Sequence, residues 1–167
     1  MSDLNINLIN NNFREQKVKE ILCGLLSKYD LNKYLITKNI NIQFKVEPHS
    51  HPILTLNTVS FDEDYILSQF LHEQIHWYLS NIKKETMSLI SKLKKEYPDA
   101  PCKLPEGSRT EESTYLHLIV NLLEYKALIG IIGKRKAKTI LLSKPYYTWI
   151  YNTVIKDYNK LTKTITV

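Results

Sequence analysis

His72 and His76 lie four residues apart inside a stretch with the pattern of a buried α-helix, and this pair constrains the chain more than any other feature. Ser60 and Glu63 make an S-x-x-E capping box, and Asp62, Glu63 and Asp64 suit the positive end of a helix dipole. The helix predicted from these signals begins near Ser60 and runs through Tyr78 or beyond. Residues i and i+4 share one helical face, so the two imidazoles stand one turn apart on the same side. Leu71, Ile75, Trp77, Tyr78 and Leu79 surround them, so the stripe is expected to be largely buried. Two buried imidazoles with Glu73 between them would be costly without a compensating partner. One zinc ion, gripped by each nitrogen at about 2.0–2.1 Å, is such a partner.

The rest of the chain supplies a frame for that helix. Val18, Ile21, Leu22, Leu25 and Leu26 give residues 13–29 a helical apolar face. Residues 41–47 alternate, with Ile42, Phe44 and Val46 on one side, which predicts a half-buried strand. Residues 53–59 read as a second strand, at an edge because Pro52 precedes it. Further helices are predicted over 84–96, from a capping box at Ser108 and Glu111 to about Ile132, and from Pro145 to about Leu161. The basic run 134–138 reads as the connection between the last two, and residues 97–107, with three prolines and a glycine, as a loop long enough to border a cleft. The expected class is α+β: a small N-terminal sheet, strands segregated ahead of the helices, and one domain over residues 1–167.

In sequence, His72-Glu73-Gln74-Ile75-His76 is H-E-x-x-H. Its mechanics require a helix, with Glu73 beside the metal rather than on it, placed to take a proton from a metal-activated water. The chain therefore resembles the zincin-type zinc metallopeptidases. The resemblance rests on this motif and on the upstream strand 53–59, which in that family lies along the cleft and pairs with an extended peptide. It implies a minimal zincin-like fold, one zinc ion, and hydrolysis of peptide bonds with Glu73 as general base. Two other readings stay open: a zinc hydrolase acting on a non-peptide amide or small molecule, and a catalytically inactive zinc-binding or interaction module.

A third ligand is needed. His117, Asn121 and Glu124 form a polar stripe at i, i+4 and i+7 on an otherwise apolar helix. His117 and Glu124 are about 10.5 Å apart along the axis, too far for both to ligate one ion. Glu124-Tyr-Lys-Ala127 resembles the E-x-x-A pattern of the gluzincin branch, where the Glu is the ligand, so Glu124 is the first choice and His117 the second. Leu128 stands where many gluzincins carry an Asp. Zincins also use a Tyr or His to stabilise the oxyanion, which makes Tyr147 and Tyr151, one turn apart, the catalytic candidates beside Glu73. Tyr146, His49 and His51 are weaker candidates.

Composition narrows the partners. The apolar fraction of 43% over 167 residues is enough for a core without disulfides, and Cys23 and Cys102 make no metal knuckle. The net charge of +6 comes from scattered lysines, so nucleic acid is not the expected partner; a peptide or protein substrate is. The run Leu116–Ile132 is interrupted by His117, Asn121, Glu124 and Lys126, and no basic-then-apolar leader opens the chain, so a cytoplasmic protein without a membrane span is expected.

Overall fold

Alternation of Asn with Ile or Leu sets the first strands. In a computed structural model, which describes residues 4–167, β1 (Asn5–Leu8) pairs parallel with β2 (Asn39–Ile42), in register from Asn5↔Asn39 to Leu8↔Ile42. Asn5 and Asn7 donate across the outer face to Asn39 and Asn41. β3 (Leu54–Leu56) extends the sheet in the order β1-β2-β3, again parallel, with Ile40↔Leu54 and Ile42↔Leu56. Parallel neighbours need a crossover, and α1 (Phe13–Lys28) provides the one from β1 to β2. Val18, Leu22 and Leu25 of α1 are buried, as are Ile40, Ile42, Leu54 and Leu56.

The chain divides into two compact units, Met1–Tyr78 and Leu79–Val167. The first holds the sheet, α1 and most of α2 (Glu63–Asn81). In the second, α4 (Glu111–Ile132) packs against α3 (Lys83–Glu96), α5 (Lys134–Leu142), α6 (Thr148–Lys156) and α7 (Tyr158–Thr164). A helix with neighbours on several sides must be apolar around most of its circumference, and twelve of the residues of α4 are buried. By length and hydropathy alone α4 could cross a membrane; 61% of its most apolar window is buried inside the protein. Gly133, at φ +83°, ends α4 and starts α5 in a single residue, a left-handed turn that a side chain would strain.

The mixed class is as expected, and several details differ. The strands are not segregated ahead of the helices, because α1 lies between β1 and β2. β1 was not foreseen. The strand expected over 41–47 stops at Ile42 because the Phe44 N–H turns away to the Glu15 carboxylate at 2.9 Å, and Lys45 takes φ +59°. The strand expected over 53–59 is three residues long. The α2 cap is Asp62, whose carboxylate accepts from the Tyr65 N–H at 2.8 Å, while the Ser60 hydroxyl accepts from Asp62. Thr110, not Ser108, caps α4. The basic run 134–138 is helical, in α5, and the final helix is two helices broken at Asp157.

Glu15 is fully buried and joins three segments. Its carboxylate accepts from the Asn10 backbone at 2.8 Å, the Asn10 side chain at 2.7 Å and Phe44. Burial pushes its pKa up, but the Asn10 side chain and the backbone N–H groups of Phe44, Asn10 and Asn11 outweigh that and hold it below the ordinary glutamate value. Because the folded pKa is depressed, the stabilisation is full above the unfolded pKa of about 4.3 and is lost as pH falls through the folded value. Glu15→Gln is expected to cost about 1–3 kcal/mol at neutral pH. Urea denaturation of both proteins should show that difference shrinking as the medium is acidified below about pH 4. A difference constant with pH would mean that the carboxylate charge is not what the three donors require.

Candidate metal centre

Three side chains on α2 decide which way its histidines face. Gln69 and Asn57 pair through their amides: Gln69 accepts from the Asn57 backbone N–H at 3.0 Å and donates to the Asn57 side chain at 2.9 Å. Gln74 accepts from the N–H groups of Ile36 and Thr37, both at 2.9 Å, and donates to the Thr37 carbonyl at 2.8 Å. Trp77 donates from Nε1 to the Ser50 carbonyl at 2.7 Å. Asn57 follows β3 and Ser50 precedes it, so two of these anchors hold β3 alongside α2, eight helical residues apart. That spacing is about 12 Å along the axis and brackets His72, Glu73 and His76. All three anchors were missed from sequence. Their signal was there: Gln69 and Gln74 are polar side chains on an apolar helix, and buried amides need partners.

Within this frame the two imidazoles converge. Nε2 of His72 and Nε2 of His76 are 3.3 Å apart, with ring centroids at 5.0 Å and planes at 64°. Two nitrogens bound at 2.0–2.1 Å to one tetrahedral ion would be about 3.3 Å apart. The separation therefore fits a shared ion. His72 and Glu73 are buried, at 8% and 5% exposure, and His76 is half-buried.

The polar stripe of α4 meets three different environments. His117 is 7% exposed, and its Nδ1 lies 2.7 Å from the Ser113 carbonyl oxygen. A carbonyl only accepts, so Nδ1 is the donor in this contact. Metal-ligating histidines are oriented in this way. The Tyr147 ring rests on His117 at 4.3 Å between centroids. The two side-chain amide atoms of Asn121 are buried and make no hydrogen bond among the described residues.

Glu124 is fully buried in a different chemistry. Lys144 donates to its Oε1 at 2.8 Å, and the Tyr151 hydroxyl donates to its Oε2 at 3.4 Å. Lys144 also donates to the Tyr151 oxygen at 3.1 Å. Burial, then the Glu124 charge, push the Tyr151 phenol far above its ordinary pKa, so it remains a proton donor. Lys144, itself 5% exposed, was not singled out from sequence: it lies twenty residues from its partner in a segment that otherwise reads as surface lysines.

The remaining candidates sort by position. Tyr147, at φ +58°, stands before α6 beside His117, with Tyr146 at 5.2 Å and Tyr151 at 6.5 Å between ring centroids. His49 bridges to Thr55, and His51 stacks on Trp77 at 4.3 Å. In the loop 97–107, Gly107 passes so close to the Pro101 carbonyl that a side chain there would collide with it. Comparison with protein-family models, with curated proteins and with solved structures gives no match to this chain. The reading of the site therefore stands on its chemistry.

Breaking a buried ion pair leaves an uncompensated charge. Glu124→Leu is expected to cost about 3–5 kcal/mol in chemical denaturation, and the double change Glu124→Leu with Lys144→Met is expected to recover most of it. A single substitution without cost would show that the pair does not hold α4 to the segment carrying Lys144.

Proposed function

We propose that this chain is a zincin-like, zinc-dependent metallopeptidase in which His72, His76 and His117 hold one zinc ion and Glu73 is the general base. The observation that carries the reading is the 3.3 Å between the Nε2 atoms of His72 and His76, the edge length of a tetrahedral zinc site. His117 is favoured as third ligand over Glu124 on chemical grounds. Its Nδ1–H donates to the Ser113 carbonyl, the orientation of a histidine that coordinates through Nε2, whereas both Glu124 oxygens accept bonds from Lys144 and Tyr151. Three neutral imidazoles are a donor set that leaves a fourth position open, as catalytic zinc requires.

When bound, the zinc would acidify a water toward a pKa of about 7 and polarise the substrate carbonyl. Glu73 follows the first ligand on the same helix and takes the proton of the attacking water, then delivers it to the leaving amine. Ser113 fixes the tautomer of His117. Tyr147, packed on His117, is the phenol proposed to donate to the oxyanion. The hydroxyl of Tyr151 is held between Lys144 and Glu124, so Tyr151 serves as a positioning residue.

Metal analysis tests this directly. About one zinc per chain is expected in wild type after reconstitution, with loss in His76→Ala and in His117→Ala and retention in Glu73→Gln. Glu73→Gln should also lower hydrolysis by roughly 10²–10⁴-fold. Protein that takes up no zinc under these conditions would overturn the proposal, and zinc lost with Glu124→Gln but kept with His117→Ala would reassign the third ligand.

A further inference from the structure

β3 is an edge strand, an edge is where a sheet can take on a further strand, and only one residue of β3 offers its backbone there. Leu54 and Leu56 turn their backbone groups toward β2, in register with Ile40 and Ile42, and Gln43 donates to the Leu56 carbonyl. Thr55 turns the other way. Its N–H donates to the His49 carbonyl at 2.8 Å, and its carbonyl accepts from the His49 N–H at 3.1 Å. The edge has thus been paired by the chain itself, and Thr55 is 1% exposed.

The segment doing this is pinned on both sides of His49. Nδ1 of His49 lies 3.0 Å from the Glu47 carbonyl. The carbonyl of Ser50 accepts from Trp77 at 2.7 Å, the Ser50 hydroxyl lies 2.9 Å from Nδ1 of His51, and the His51 ring lies flat on Trp77 with an interplanar angle of 23°. Trp77 is the residue after His76. The clasp over the edge is therefore fastened to the same helix that carries the two histidines, one residue beyond the motif.

We infer that the segment from Glu47 to Ile53 occupies the strand-pairing edge permanently, so that the centre takes short substrates, acyl amino acids and di- or tripeptides, rather than an extended polypeptide bound by strand addition. This rests on the hydrolase reading above. A substrate that needs only the metal and the groups around it loses nothing to the clasp. A longer one must strip two backbone hydrogen bonds from Thr55 before it can replace them, and the exchange returns no net pairing.

Two measurements on the zinc-reconstituted full chain test it. The first is amide hydrogen exchange at His49 and Thr55, which is independent of the metal: both should exchange at least about 100-fold more slowly than an unstructured amide. Fast exchange at both would overturn the closed edge. The second compares two zinc-chelating probes by calorimetry, acetyl-leucine hydroxamate and a hexapeptide hydroxamate ending in the same leucine. The expected result is affinities within about threefold, with His49 exchange unchanged by either probe. A hexapeptide that binds tenfold or more tightly, with faster exchange at His49, would show the clasp displaced and overturn the inference. If neither probe binds, the hydrolase reading and the substrate class fall together, while slow exchange at His49 and Thr55 would still establish the closed edge.

Discussion

Gln69, Gln74 and Trp77 hold α2 to its unit through neutral hydrogen bonds, and the two histidines depend on them. A helix is free to roll on an apolar surface, since side chains of similar size can exchange places at little cost. Polar anchors remove that freedom, because a buried amide turned away from its partner costs about 1–3 kcal/mol. Gln74 satisfies two backbone donors and one acceptor around Ile36 and Thr37, so it tolerates almost no rotation. Gln69 and Trp77 tie the segments flanking β3 to the same helix. The convergence of His72 and His76 follows from the helical repeat, and its direction follows from these anchors.

Legibility in the sequence tracked the range of the interaction. The i,i+4 imidazoles and the helices around them were readable because helical periodicity is local. The parallel sheet was not: its strands are three or four residues long, and an Asn-Ile alternation of that length is too short to distinguish from a turn-rich segment. The end of β2 is set by Glu15, twenty-nine residues before Phe44, a carboxylate that reads in sequence as ordinary helix surface. The break at Asp157 is likewise non-local, since the Asp157 carboxylate accepts from the Tyr97 hydroxyl at 3.0 Å, sixty residues away.

The polar stripe on α4 shows the same limit at the candidate site. Sequence spacing places His117, Asn121 and Glu124 on one face, and the choice of Glu124 as ligand rested on the E-x-x-A resemblance. The structure supplies what spacing could not, a buried lysine. A buried carboxylate needs hydrogen-bond donors or a cation, and a metal and an ammonium group are alternative cations. Once Lys144 is against Oε1 at 2.8 Å, the charge requirement of Glu124 is met. An imidazole carries no such requirement. The Ser113 carbonyl needs only to orient its Nδ1–H.

That difference explains how one helix can carry both arrangements two turns apart. At the Glu124 end, the ion pair and the Tyr151 hydroxyl close a buried network in which each named partner donates to or accepts from another. Such a network is rigid, because removing any member strands the rest. At the His117 end, the Ser113 carbonyl at 2.7 Å from Nδ1, the Ser113 hydroxyl at 3.3 Å and the face of Tyr147 orient the ring. Asn121 stands between the two ends with its amide outside both networks. The stripe is therefore not one row of ligands. The Glu124 end fixes α4 against the segment that carries Lys144 and Tyr151, and the fixed helix gives His117 the defined position that a metal ligand needs.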